Sequence, residues 1–235
     1  MISRFALAVG ILAATCRPAQ CGDPVTSKQM DEVIDELRRI RILLEAGARP
    51  APVAARTTLD LSKAPWMGSK DASVVIAEIM DYECSYCRRF YSTTFPDLKK
   101  LYIDTGRVRF YVIDLPLKEH THALLAAEAA RCAAEQGGFW EAYHFLMSSA
   151  SLDETAIAEL GRRRGMDENR FNLCLTSRKY EQNVLESAAE ASSKGISARP
   201  SFVIGQATAT GVEGDVVVGA KPLGVFQRQI DALPH

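Results

Sequence analysis

Apolar positions follow a different rhythm in successive parts of the chain. Residues 5–15, FALAVGILAAT, are an unbroken apolar run behind one basic residue, Arg4. A run of about a dozen is short for a bilayer span and fits a secretory leader, so residues 1–21 are expected to be an export signal. Between residues 26 and 46 the apolar positions fall at alternating steps of three and four: Met30, Val33, Leu37, Ile40 and Leu44. That is the seam of a short coiled coil, or the stripe of an amphipathic helix laid on its own domain. Residues 47–61, rich in Pro, Ala and Gly, have no period and read as a linker. A helix cut off by a linker must bury its stripe elsewhere. A second copy of itself is the simplest cover, so a homo-oligomer through residues 26–46 is expected.

From residue 62 to residue 234 the pattern is that of a folded domain. ASVVIAEIMD (72–81) is β-branched and nearly all apolar, as a strand covered on both faces should be. CRRFYSTTFPDLKKLYIDTG (87–106) is helical in pattern, with Pro96 expected to kink or restart it. RVRFYVIDLPL (107–117) predicts a second strand, and residues from about 119 to 195 are helical in several pieces. PSFVIG (200–205) and DVVVGA (215–220) predict two more strands, and KPLGVFQRQIDAL (221–233) a closing helix. Strands at both ends with helices between them argue for an α/β fold, a mixed sheet with helices on its faces.

Composition removes some alternatives. A net charge of −1 gives no electrostatic footprint for nucleic acid. The six cysteines then become the informative feature, because an exported protein can keep them paired. Six cysteines allow 15 pairings, so counting alone does not fix connectivity.

Cys84 and Cys87, in IMDYECSYCRRFY, lie where a strand gives way to a helix. A zinc site needs about four ligands, and no second Cys-x-x-Cys is present. His120 and His122 are the available additions, and as loop residues they read better as surface side chains, so no metal is expected. A purely structural bridge over so short a loop would remove little unfolded-state entropy. Redox chemistry accounts for more. Backbone N–H groups at a helix start favour a thiolate at Cys84, the nucleophile of disulfide exchange. Cys87, one turn later, would lie beneath it as the resolving thiol. Glu78 sits within the apolar strand, where a carboxylate is costly without a partner or a task. Its task would be to carry a proton to or from Cys87; the alternative is a solvent-facing residue on an edge strand.

Strand, Cys-x-x-Cys, helix, insertion and then ARPSFVIG together resemble the DsbA family of exported thiol–disulfide oxidoreductases, over residues 62 to 233. The stretches DLPL, AARCAAEQGGFWEAYHFLM and FNLCL are similar to a branch of that family with a compact helical insert. The resemblance implies a thioredoxin-like fold with an inserted α-helical subdomain, preceded here by the amphipathic helix. It implies protein thiols and disulfides as substrates, a membrane redox partner, no dissociable cofactor and a location in the periplasm or cell envelope. Cys16 after LAAT leaves a lipid anchor as an alternative ending of the leader. The resemblance makes Glu78 the family's buried acid and Pro200 its cis-proline beside the cysteines. It also implies a Cys132–Cys174 bridge within the insert, as some members have. Pairing of Cys16 and Cys21 stays open.

Two positions depart from the family pattern. Ser85 and Tyr86 stand between the cysteines, where oxidising members have Pro-His and isomerases carry a comparable Tyr. Arg199 precedes Pro200, where members have Thr or Val. Its charge is expected near Cys84, favouring the thiolate and touching substrate together with Pro200. Oxidase, isomerase and reductase therefore stay open as directions of the exchange, with a non-catalytic thioredoxin-fold scaffold as the outlying alternative.

Overall fold

The computed structural model describes Met30, Val33, Ile34 and residues 56–163 and 165–234. The chain divides into two compact units, residues 1–51 and 52–235. In the first, Met30, Val33 and Ile34 are helical and exposed. The expected export signal, the remainder of the expected seam, the linker up to residue 55, and Cys16 and Cys21 lie outside the described residues.

The second unit is built on a six-stranded sheet. Its strands are β1 (Thr57–Asp60), β2 (Trp66–Gly68), β3 (Val74–Met80), β4 (Val108–Asp114), β5 (Ser201–Ala207) and β6 (Gly211–Val218). The order across the sheet is β1-β6-β5-β3-β4-β2. β3 is parallel to β4, with Glu78 opposite Val112 and Met80 opposite Asp114. On its other side β3 is antiparallel to β5, with Glu78 opposite Phe202. Every residue of β3 is buried, which is why this strand reads as a continuous apolar run and not as an alternation. The pleat sends Val74, Ile76 and Met80 into a large core and Val75, Ala77 and Ile79 into a smaller one on the opposite face. Glu78 is in phase with the first set.

Between β3 and β4 run α1 (Ser85–Thr93), the short α2 (Phe95–Leu98) and a π-turn over Lys99–Ile103. Pro96 restarts the helix, in the first turn of α2, where its missing N–H costs no bond. The insert between β4 and β5 contains α3 (Ala123–Ala134), α4 (Phe139–Ser148), α5 (Glu154–Gly161), α6 (Glu168–Thr176) and α7 (Glu181–Ser193). α8 (Leu223–Asp231) closes the chain, with Phe226 and Ile230 in the larger core. α3 buries a row of alanines, which lets its neighbours approach closely. Cys132 in α3 and Cys174 in α6 are joined by a disulfide with their Cα atoms 5.8 Å apart.

Three local expectations need correction. Residues 57–60, assigned to the linker, form the edge strand β1 against β6, with Leu59 buried. β2 pairs with β4 although nothing in its three residues reads as a strand. β6 starts at Gly211, four residues earlier than its apolar run. The reason lies in its glycines. A Cβ at Gly211 would collide with the Leu59 carbonyl, and one at Gly214 with the Ile204 carbonyl. Close approach between neighbouring backbones demands the residue that a strand pattern normally avoids.

Candidate active site

α1 starts directly at the C-terminal end of β3, across the short turn 81–84. Asp81 organises that turn. Its Oδ1 accepts the Glu83 N–H at 2.8 Å, and its main-chain oxygen accepts the Cys84 N–H at 3.1 Å. Cys84 is thereby placed at the N-cap of α1, with extended backbone angles. The next turn of the helix carries Cys87 underneath, fully buried, while Cys84 keeps a small exposed edge. Both thiols are free. Tyr86, between them, is exposed on the surface.

The two sulfurs are driven apart in acidity. A hydrogen bond from the Cys87 thiol holds the Cys84 pKa down at about 6, and the Cys87 and Tyr86 N–H groups at the helix start add to it. Partial burial and the Asp81 charge oppose the shift. Burial pushes the Cys87 thiol strongly up, reinforced by its bond to Cys84 and by the charge of Glu78. Glu78 itself is raised to about 8 by burial, partly offset by a hydrogen bond from Tyr143. That bond runs from Tyr143 Oη to Glu78 Oε2 at 2.9 Å, between two wholly buried groups. Glu78 is thus on a central strand beneath the cysteines and not on an edge strand facing solvent.

The Arg199–Pro200 peptide bond is cis, and the Arg199 carbonyl accepts the Cys84 thiol at 3.7 Å. The Arg199 side chain does something other than expected. Its Nε donates to the Leu115 carbonyl and its Nη1 to the Ser197 carbonyl at 2.9 Å. The guanidinium is held by backbone oxygens. Its main chain, not its charge, meets the sulfur.

His120 and His122 are each paired with a carboxylate of the turn before α1. His120 Nδ1 lies 2.8 Å from Asp81 Oδ2, and His122 Nδ1 lies 3.3 Å from Glu83 Oε1. Asp81 Oδ2 also accepts the Leu117 N–H at 2.8 Å. No cluster of three or more metal-ligating side chains occurs among the described residues.

Sequence reading missed Tyr143, Asp81 and Arg88. Arg88 sits one position after Cys87 and clamps the end of α4. It donates to the Tyr82 carbonyl at 2.8 Å and to the carbonyls of Leu146, Met147 and Ser149. The signal for Tyr143 was present in FWEAYHFLM. A tyrosine on the apolar face of a helix requires a partner for its hydroxyl, and Glu78 required one too.

A parallel pair at the sheet centre, a Cys-x-x-Cys at the strand–helix junction and a helical insert define a thioredoxin-fold protein of the DsbA architecture. The thioredoxin family model matches residues 60–215, and the chain belongs to that family. The crystal structure of Wolbachia pipientis alpha-DsbA1 superimposes with a TM-score of 0.65 at 24% identity, over 74% of this chain and 92% of that one. A thioredoxin-like oxidoreductase from Silicibacter pomeroyi DSS-3 gives 0.59 at 28% identity, over 72% and 90%. In sequence, the Na(+)/H(+) antiporter NhaA 3 of Salinispora tropica is 32% identical over 203 residues, 83% of this chain but 29% of the antiporter. The chain therefore spans less than a third of that relative's length. No helix among the described residues is long and apolar enough to cross a membrane.

Proposed function

We propose that this chain is an exported thiol–disulfide oxidoreductase that exchanges disulfides with protein substrates through Cys84 and Cys87. The observation that carries the reading is the placement of the two thiols, Cys84 at the N-cap of α1 with an exposed edge and Cys87 one turn beneath it, fully buried. Cys84, at a helix start, has its pKa lowered to about 6, while Cys87 below it is held protonated by burial.

In the oxidising direction a substrate thiolate attacks Sγ of Cys84 in the Cys84–Cys87 disulfide. The bond between the cysteines breaks, and Cys87 leaves as a thiolate that takes a proton from the Glu78 carboxyl. A second substrate thiolate then releases Cys84. In the reverse direction the Glu78 carboxylate accepts the Cys87 proton, and Cys87 attacks the mixed disulfide. Glu78, raised to about 8, holds its proton at neutral pH and gives it up in mildly alkaline solution, so it serves either direction. Pro200 and the Arg199 carbonyl offer a backbone surface for substrate beside Cys84. Ser85 and exposed Tyr86 form the rest of the contact face.

The low Cys84 pKa stabilises the reduced state and favours an oxidant. The absence of a histidine between the cysteines favours isomerase or reductase work. The reduction potential separates them: a value near about −120 mV marks an oxidase and one near about −270 mV a reductase. Iodoacetamide alkylation against pH tests the chemistry itself. One thiol should react with a midpoint near 6; two slow, ordinary thiols would make the protein a scaffold.

Export to the periplasm or cell envelope is supported by the apolar leader and by the Cys132–Cys174 bridge, which needs an oxidising compartment to persist. A membrane redox partner that resets the Cys84–Cys87 pair goes with that location. Oligomerisation through residues 26–46 is supported by Met30 and Val33, which are helical, three residues apart and half exposed. Light scattering on the full chain and on a variant lacking residues 1–47 tests it. Equal mass multiples would remove the seam.

A further inference from the structure

Tyr143 belongs to the insert, yet its hydroxyl ends beneath the redox pair. It is the one side-chain donor to Glu78 among the described residues, where Glu78 Oε1 has no hydrogen-bond partner. The ring is held on several sides. It meets Tyr82 edge-on at 6.2 Å, Tyr91 at 5.7 Å and Trp140 at 5.5 Å. The helix that carries it, α4, has its C-terminal carbonyls fixed by Arg88 of the redox helix. A closed mechanical circuit results: α1 holds α4, α4 holds Tyr143, and Tyr143 holds the acid that faces α1. A lone neutral hydroxyl costs little to bury when it has a partner, and a hydrogen bond donated to a buried carboxylate favours its charged form.

We propose that Tyr143 is a positioning residue for the exchange reaction, orienting the Glu78 carboxylate and favouring its ionised form, so that the inserted helix sets the pH at which Cys87 can resolve a mixed disulfide. This rests on the reading of Glu78 as the proton carrier. The step is the transfer of the Cys87 thiol proton to Glu78, followed by attack of the Cys87 thiolate on Cys84 Sγ. The Cys84–Cys87 bond forms, the bond from Cys84 to the outgoing thiol breaks, and that thiol leaves as a thiolate and is protonated by water. Burial and Tyr143 act on Glu78 in opposite directions. Removing the hydroxyl leaves burial unopposed and moves the titration upward.

The test is acid-quenched mass spectrometry of reduced full-length protein mixed with oxidised glutathione from pH 6 to pH 10. The first step, glutathionylation of Cys84, reports that each variant is folded and reactive. Decay of the glutathionylated species reports resolution by Cys87. Tyr143→Phe, which keeps the ring, should glutathionylate at the parental rate. Its resolution should be about tenfold slower at pH 7, with a pH midpoint about one unit higher, and should rejoin the parental rate at the alkaline end. Glu78→Gln should slow resolution and abolish the midpoint, and Tyr143→Phe added to Glu78→Gln should change nothing further. A Tyr143→Phe profile that superimposes on the parent, or one lowered equally at every pH, overturns the proposal while leaving Glu78 as carrier. If Glu78→Gln itself resolves with the parental rate and midpoint, the carrier reading falls, and the role of Tyr143 falls with it.

Discussion

Cys84 and Cys87 lie where a strand meets a helix; Cys132 and Cys174 lie inside two helices of the insert. All four are almost wholly buried, at 7%, 0%, 1% and 6% exposure, so burial does not sort them. Backbone direction and neighbouring charge do. Cys84 is the N-cap of α1, where the Cys87 and Tyr86 N–H groups help to lower its pKa, and a carboxylate lies in the apolar core beneath its partner. Cys132 is late in α3, behind a row of alanines, and its bond to Cys174 spans 42 residues of sequence. One pair closes almost no loop and has unequal thiols, which suits a bond made and broken in turnover. The other closes a long loop and ties two helices, which suits a bond that stays.

The strongest way to break this contrast is to exchange the roles by mutation. Cys84→Ser should abolish reduction of insulin and reaction with oxidised glutathione, because serine forms no disulfide. Cys87→Ser should accumulate the mixed disulfide. Replacing both Cys132 and Cys174 by Ala should leave glutathione exchange within about twofold yet lower unfolding free energy in urea by about 2–4 kcal/mol. Loss of exchange in that double variant, or unchanged stability, would erase the distinction.

Next in size is the cost of holding Glu78 in the core. Its folded pKa of about 8 lies above the unfolded value of 4.5, so the folded state binds the extra proton between those limits. Stability should be highest below about pH 4.5 for this group and fall as pH rises to 8. Glu78→Gln should therefore stabilise the protein at alkaline pH, on the order of 5 kcal/mol at pH 9, with little gain at pH 5. Parallel urea titrations of the two proteins at both pH values check the sign. A gain of equal size at pH 5 would mean that burial of the ionised form is not what is being relieved.

Smaller effects sharpen the picture around Cys84. Asp81 opposes ionisation of Cys84, so Asp81→Asn should lower the thiolate midpoint, read from absorbance at 240 nm, by less than about one unit. Arg199→Thr should move that midpoint by no more than about 0.3 unit, since the guanidinium is engaged by the Leu115 and Ser197 carbonyls. A larger, salt-dependent rise would show that the charge reaches the sulfur after all.

Much of the domain was legible because it is written in local patterns. The β-branched, nearly all apolar run 74–80 reads as a strand covered on both faces. The cysteine spacing at its end placed two sulfurs on successive turns of a helix. The alanine-rich and apolar-periodic segments announced the insert. The strands that went unread, β1, β2 and the start of β6, owe their state to neighbours. Thr57 to Asp60 pair because β6 offers an open edge, and Gly211 and Gly214 sit in the sheet because adjacent backbones leave no room for a side chain. The same division holds at the site. Sequence determined that Glu78 shares a strand face with Val74, Ile76 and Met80 and that two cysteines straddle a helix turn, since both follow from periods of two and 3.6 residues; that this face meets the larger core came from the fold. Tertiary structure alone decided that Tyr143, 65 residues away from Glu78 along the chain, supplies its donor. It also decided that Arg88 clasps α4 and that Arg199 turns its charge to carbonyl oxygens while presenting its own carbonyl to Cys84. Those outcomes depend on which surfaces the packed insert brings together, and no periodicity within a single segment encodes them.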